Sequence, residues 1–237
     1  KFKLVKNQSK KDFAILNTKN FYIKRELKSK KFLPKVIRIE KDIGNTFLKK
    51  INNQYFNTDG NKENLKFILV VAKILKLKKK LLIETLKKFK GLKYRQEKIF
   101  QSKKLTIIND SKATTFSSSV SLLKSLSNVY WIVGGQAKKG DKLLLSKKKC
   151  KNFKAFIFGT NKNFFIHKIK KLMKYESFLD LKSLVKKLFL DINADKNINH
   201  KTILFSPSAA SFDSFENFEK RGAYFNQLIK KYNNAKL

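Results

Sequence analysis

Apolar residues follow two different rhythms along this chain, and the change between them falls near Gly91. Before it, "DFAIL" and "KVIRI" are short alternating runs that predict strands. "KENLKFILVVAKILKL" (62 to 77) sets Leu65, Ile68, Leu69, Ala72 and Leu75 on one stripe at helical spacing and predicts an amphipathic helix. A second helix is expected over "KKLLIETLKKF", with Gly91 punctuating its exit. Beyond Gly91, "YRQEKIF" and "KLTIIND" predict a hairpin pair. "VYWIV", "KAFIF" and "TILF" are each expected to lead through a polar or glycine-containing turn into a helix. Strands that alternate with helices form βαβ units, so the predicted class is α/β with a mainly parallel, Rossmann-like sheet over residues 92–237, preceded by a separate α/β region over residues 1–91.

In such sheets a ligand lies beyond the carboxyl ends of the strands. Three strand ends carry a concentration of hydrogen-bonding side chains: "NDSKATT" after Ile108, "GGQAKKGD" (134 to 141) after Val133, and "SPSAASFDSF" (206 to 215) after Phe205. Each also has a purely local reading. Asp110 and Ser111 suit a turn, and Ser117 suits the cap of a helix over "FSSSVSLLKSL". The pair Gly134 and Gly135 permits a tight turn, and Asp213 with Glu216 fits a capping box. Phe215, Phe218, Gly222, Phe225 and Ile229 recur at helical spacing, as a core-facing stripe does.

Composition narrows the field. The chain has 237 residues, room for one large domain or two small ones, and its 42% hydrophobic content supplies a core. The single cysteine, Cys150, has no intramolecular disulfide partner, and His167 and His200 form no cluster with metal-ligand spacing. No apolar run approaches the length of a membrane span, and no charged-then-apolar leader opens the sequence, so a cytoplasmic, membrane-free setting is expected. The net charge of +39 raises the alternative of a basic nucleic-acid-binding module. Only four of the 56 basic residues are arginine, however, and arginine is the better reader of phosphates and bases. Lys, Asn, Ile and Phe, which have A/T-rich codons, are all abundant. Compositional drift on a solvated surface accounts for that pattern, and no nucleic-acid partner is expected. The first residue is Lys1 rather than Met, which suggests a fragment whose start lies upstream.

Taken together and in order, "NDSKAT", "GGQAKKGD" and "SPSAASFDSFENFEKRGAYF" resemble the C-terminal domain of the Mur ligases, specifically the members that add D-glutamate in peptidoglycan synthesis. The resemblance extends backwards. "GLKYRQE" is similar to the family's Gly-Leu-Pro-His-Arg-x-Glu junction and "GNKENLKF" to its His-Asn-x-x-Asn helix start, although Lys93, Tyr94 and Gly60 replace Pro, His and His. The family's Gly-x-x-Gly-Lys-Ser/Thr phosphate loop, its magnesium ligands, its carbamoylated lysine and its uridine-nucleotide domain are expected to precede Lys1. Residues 1–91 then correspond to the tail of a central ATP-binding domain, and 92–237 to the amino-acid-binding domain. Residues 1 to 237 by themselves are expected to show no turnover.

The resemblance implies an ATP- and Mg2+-dependent amide-bond-forming ligase, here a monomer. It would join D-glutamate to UDP-N-acetylmuramoyl-L-alanine through an acyl phosphate. By the same resemblance Lys138 and Thr114 hold one glutamate carboxylate, and Ser211 with the Phe218 backbone holds the other. Asp110 accepts from the ribose of ATP, Arg95 meets its phosphates, and Asn61 and Asn64 contact the nucleotide. Lys112 is assigned to the anionic phosphates or acyl phosphate.

Overall fold

A computed structural model describes residues 2–29, 31–39, 45–195 and 199–233. It divides the chain into two units, Lys1–Phe89 and Lys90–Leu237, two residues from the boundary expected at Gly91.

The first unit contains α1 (Phe2–Lys6), β1 (Phe13–Asn17), α2 (Phe21–Ser29), β2 (Lys35–Ile39), α3 (Asn45–Ile51), a 3-10 turn (Gln54–Asn57), α4 (Asp59–Ile74) and α5 (Lys79–Lys88). The strands β1 and β2 pair in parallel, as two runs joined by a helix must. Helix α4 begins three residues earlier than its apolar stripe suggested, because the Thr58 side chain caps it by accepting from the Asn61 amide. Leu65 and Ala72 are buried as expected, but Leu75 is the C-cap residue and is 62% exposed. Ile51, Phe56, Leu65 and Leu86 form the core of this unit.

The second unit is a six-stranded sheet in the order β3-β4-β8-β5-β6-β7. Its strands are β3 (Glu97–Gln101), β4 (Leu105–Asn109), β5 (Val129–Gly134), β6 (Phe153–Phe158), β7 (Lys174–Ser177) and β8 (Lys201–Phe205). Only β3 is antiparallel, so the sheet is mainly parallel and the hairpin expected over 94 to 110 is present. Between them run α6 (Phe116–Ser125), α7 (Lys162–Ile169) and α8 (Leu181–Ala194), with α9 (Phe218–Asn233) at the end. The central strands are buried along almost their whole length, which is why they read as unbroken apolar runs.

Two layers cover the faces. Phe156, Phe205 and Phe225 pack with Leu184, Leu188 and Val185 of α8 on one side. Phe116, Trp131 and Phe165 pack with Leu123 and Ile157 on the other.

Three local expectations are corrected. No helix follows β5 among the described residues. The segment 135–152 runs as turns and irregular chain, with Leu143 and Leu145 tucked against the core in place of a helix face. Helix α6 is capped by Thr115, whose side chain accepts from Ser118, and not by Ser117. Helix α9 starts at Phe218 behind Asn217, whose Oδ1 accepts from the Lys220 amide at 2.8 Å, so Asp213 and Glu216 form no capping box. The strand β7 is an exposed polar edge strand with no apolar signal to announce it.

The Phe205 and Phe225 rings stack at 4.2 Å between centroids, and both residues are fully buried. Removing one ring leaves a cavity between β8 and α9. Phe225→Ala is expected to cost about 3–5 kcal/mol in chemical denaturation. A loss below about 1 kcal/mol, the size of an ordinary surface substitution or less, would contradict this packing.

Candidate functional site

The strands β4, β8 and β5 are neighbours and parallel, so the loops that leave them emerge at one edge of the sheet. Hydrogen bonds then tie these loops to one another. Gln136 and Ala210 exchange backbone bonds of 2.9 and 3.1 Å, which sets Lys138 and Ser211 on adjoining segments. Gly134 donates to Pro207 at 3.0 Å. The Phe116 amide donates to Asp141 Oδ2 at 2.6 Å and joins the start of α6 to the loop after β5. The Ser119 hydroxyl sits 2.6 Å from both Ser206 Oγ and Ser208 Oγ.

The close approach requires the two glycines. A Cβ on Gly134 would stand 2.1 Å from the Phe158 carbonyl oxygen, and one on Gly135 would stand 2.6 Å from that of Ala210. Both also have positive φ, at 145° and 121°.

The predicted site residues separate into two groups when their partners are counted. Asp110 is buried and already engaged. Its Oδ1 accepts from the Gln96 amide at 3.1 Å and its Oδ2 from the Ser206 hydroxyl at 2.9 Å. Asn61 is likewise committed within the first unit, donating to the Tyr55 carbonyl at 2.8 Å, and Asn64 donates to Asn61. In contrast, the hydroxyls of Thr114 and Ser211, the Lys138 ammonium and the Arg95 guanidinium have no hydrogen-bond partner among the described residues. Ser211 is nonetheless 97% buried by area, with only 3% exposed. Lys138 and Arg95 are exposed and Thr114 is half-buried, so water can satisfy them; Ser211 is the enclosed member of the set.

Lys112 and Phe218 are brought together, with the Lys112 ammonium 3.9 Å from the centre of the Phe218 ring. The Phe218 carbonyl accepts from the Ser111 hydroxyl at 2.8 Å. Arg95 lies near enough to Asp110 for its charge to act on that carboxyl.

Several residues at the site carried no role in the sequence reading. Arg221 is fully buried and donates to Ser111 and to the carbonyls of Ala209 and Ala210. Asn109 donates to the Gly222 carbonyl at 2.9 Å and accepts from the Ser111 amide. The Tyr94 ring lies over Gly222, where a Cβ would come within 2.4 Å. Arg221 had one signal: it is among only four arginines in a chain that otherwise uses lysine.

No group of three or more His, Cys, Asp or Glu side chains that could hold a metal ion occurs among the described residues.

Burial pushes the Asp110 carboxyl up to about 7, against the opposing effects of the Ser206 hydroxyl, the Gln96 amide and the Arg95 charge. In the unfolded chain the group ionises near 3.8. Between those values the folded state keeps a proton that the unfolded state has lost. The resulting stability is full below about pH 4 and disappears as the pH rises through about 7. Wild-type stability is expected to fall by up to about 1.4 kcal/mol per pH unit across that window. Asp110→Asn should flatten the slope in denaturant titrations. Parallel profiles for the two proteins would refute the assignment.

No family profile matches the chain. Curated relatives do. A protein from Wolbachia sp. subsp. Brugia malayi is 35% identical over 175 residues, 74% of this chain and 35% of its own length. One from Rickettsia bellii is 33% identical over 209 residues, 86% of this chain and 46% of its own. A third, from Rickettsia felis, is 29% identical over 249 residues, 98% of this chain and 55% of its own. All three are named UDP-N-acetylmuramoylalanine–D-glutamate ligase, and the chain spans between about a third and somewhat over half of their lengths. Among solved structures, UDP-N-acetylmuramate-alanine ligase MurC from Thermotoga maritima matches with a TM-score of 0.52 at 14% identity. It covers 76% of this chain and 39% of that one, which shows the fold. The sequence relatives and the shared fold together make this chain a homologue of the UDP-N-acetylmuramoylalanine–D-glutamate ligases, within the Mur ligases.

Proposed function

We propose that the second unit is the amino-acid-capturing part of an ATP-dependent ligase that joins D-glutamate to UDP-N-acetylmuramoyl-L-alanine in peptidoglycan precursor synthesis. The first unit belongs to the ATP-binding domain. The observation that supports this reading is the convergence of three cross-linked strand-end loops, which carry Thr114, Lys138 and Ser211, at one edge of the sheet. The names of the relatives supply the substrates.

The reaction needs an activated carboxyl and a free amine. The γ-phosphoryl group of ATP passes to the carboxylate of UDP-N-acetylmuramoyl-L-alanine, releasing ADP and leaving an acyl phosphate. The D-glutamate amine, having given up a proton, attacks the acyl carbon; the amide forms and inorganic phosphate leaves. Magnesium neutralises phosphate charge in such transfers. This chain's own part is to hold the amino acid by its two carboxylates so that the amine stays free.

Lys138 brings full positive charge, and Thr114 and Ser211 bring hydroxyl donors. Such charge-assisted bonds contribute about 1.5–3 kcal/mol each. The first turn of α9, beginning at Phe218, adds backbone amides with a partial positive charge. Lys112 is assigned to the phosphates or the acyl phosphate. In the second unit Arg95 is assigned to nucleotide phosphates and Asp110 to a ribose; in the first unit Asn61 and Asn64 are assigned to nucleotide contacts. We read the protein as a cytoplasmic monomer; no described helix is long and apolar enough to cross a membrane.

In the full-length protein carrying this sequence, Lys138→Ala and Ser211→Ala are each expected to raise the KM for D-glutamate about tenfold or more, the effect of roughly 1.4 kcal/mol of lost binding. The KM for UDP-N-acetylmuramoyl-L-alanine should change little. D-alanine, with one carboxylate, should be a poor substrate, because it leaves part of the polar set unpaired. Wild-type glutamate dependence in both variants, or equal use of D-alanine, would sink the pocket. Asp110→Ala should raise the KM for ATP, and unchanged ATP dependence would return Asp110 to a structural role.

A further inference from the structure

Arg221 is fully buried, yet no carboxylate hydrogen-bonds it among the described residues. Its Nε donates to Ser111 Oγ at 3.1 Å, Nη1 to the Ala210 carbonyl at 3.2 Å, and Nη2 to the carbonyls of Ser111 at 2.7 Å and Ala209 at 3.0 Å. A guanidinium has five N–H donors, and four are thus placed on two loops. The loop after β4 receives two, on the residue next to Lys112. The loop after β8 receives two, on the residues that lead into Ser211. The Ser111 hydroxyl in turn donates a hydrogen bond to the Phe218 carbonyl at 2.8 Å, which ties in the start of α9.

The Asp213 carboxylate acts on Arg221 through space. Both oxygens of that carboxylate are buried and make no hydrogen bond. Glycine leaves room for the two charged groups. A Cβ on Gly159 would lie 2.6 Å from Asp213 Oδ2, and one on Gly135 would lie 3.1 Å from Arg221 Nη1.

A buried charge of this kind is costly. Burial lowers the Arg221 pKa to about 10, so it stays protonated at neutral pH without a bonded counter-ion. Well-packed apolar residues often match or exceed the stability of buried ionic groups. Directed bonds to loops on which Thr114, Ser211 and Lys112 sit give this arginine a use that packing alone would not.

We propose that Arg221 is a positioning residue for the amino-acid pocket. Its planar fork fixes the loops after β4 and β8 against the start of α9, with Asp213 as its unbonded counter-charge, so that the polar groups around one dicarboxylate keep their separation. This rests on the pocket proposed above.

Two experiments test it. In the full-length protein, Arg221→Lys keeps the charge but loses the fork, and should raise the KM for D-glutamate at least tenfold. The KM for UDP-N-acetylmuramoyl-L-alanine should stay within about twofold, since a tenfold change corresponds to only about 1.4 kcal/mol of local misalignment. Asp213→Asn, which keeps the shape, should shift the glutamate KM in the same direction by less, and Arg221→Met should be at least as defective as Arg221→Lys. In parallel, amide hydrogen exchange on the 237-residue chain should quicken at 111–115 and 209–213 in Arg221→Lys while β4, β5 and β8 keep their protection. A wild-type glutamate KM in Arg221→Lys would overturn the proposal. So would an equal rise in every KM accompanied by loss of protection across the whole sheet, which is what a general stabilising role predicts. If the wild-type protein does not ligate D-glutamate, the function proposed above fails and the pocket role with it, while the exchange data still decide whether Arg221 tethers the loops.

Discussion

Parallel pairing of β4 with β8 and of β8 with β5 is the constraint on which the rest of the second unit depends. Parallel neighbours send their outgoing chains to the same edge. Because the order is β4-β8-β5, chain segments roughly 95 and 70 residues apart in sequence, leaving β4 at Asn109, β8 at Phe205 and β5 at Gly134, become adjacent loops. The sheet supplies that adjacency without using any of the site's side chains. Its strands are instead filled with Ile107, Ile132, Leu204 and Phe205, whose burial holds the platform.

Upon the platform, polar residues fall into holders and free groups. Ser119, Ser206, Ser208, Asn109 and Arg221 spend their hydrogen bonds on other loops. Thr114, Lys138 and Ser211 do not. The anion pocket proposed for these loops uses both kinds. Groups already satisfied fix geometry, and open groups supply binding that is realised only when the ligand arrives. The surrounding lysines contribute in a different way. Lys154 and Lys187 are engaged by Asp191 near α8, and such partly exposed pairs add little to stability.

The strands were legible because burial on both faces forces unbroken apolar runs, as in "VYWIV" and "TILF". The helices α4 and α6 were legible in "KENLKFILVVAKILKL" and "FSSSVSLLKSL". What escaped has physical reasons. The edge strand β7, "KYES", has no buried face to write a pattern. The segment after β5 contains "KLLLS", whose Leu143 and Leu145 bury themselves from an irregular backbone, so apolar content there does not report a helix. Caps at Thr115 and Asn217 were displaced from the expected Ser117 and Asp213 because several Ser, Thr, Asn and Asp residues stand in a row and only packing selects one. At the site, the three loops could be picked out by their residue types. The partners of Arg221 could not, because they are backbone carbonyls brought together by the sheet and have no side-chain signature.

The most direct test is to titrate the 15N-labelled 237-residue chain with D-glutamate and follow its amide resonances. Amides at Thr114, Lys138, Ser211 and Phe218 should shift together along one saturation curve, with D-alanine producing much smaller changes at the same positions. Shifts confined to one loop, shifts spread over the lysine-rich surface, or equal responses to D-alanine would contradict a pocket built by these loops for a dicarboxylate.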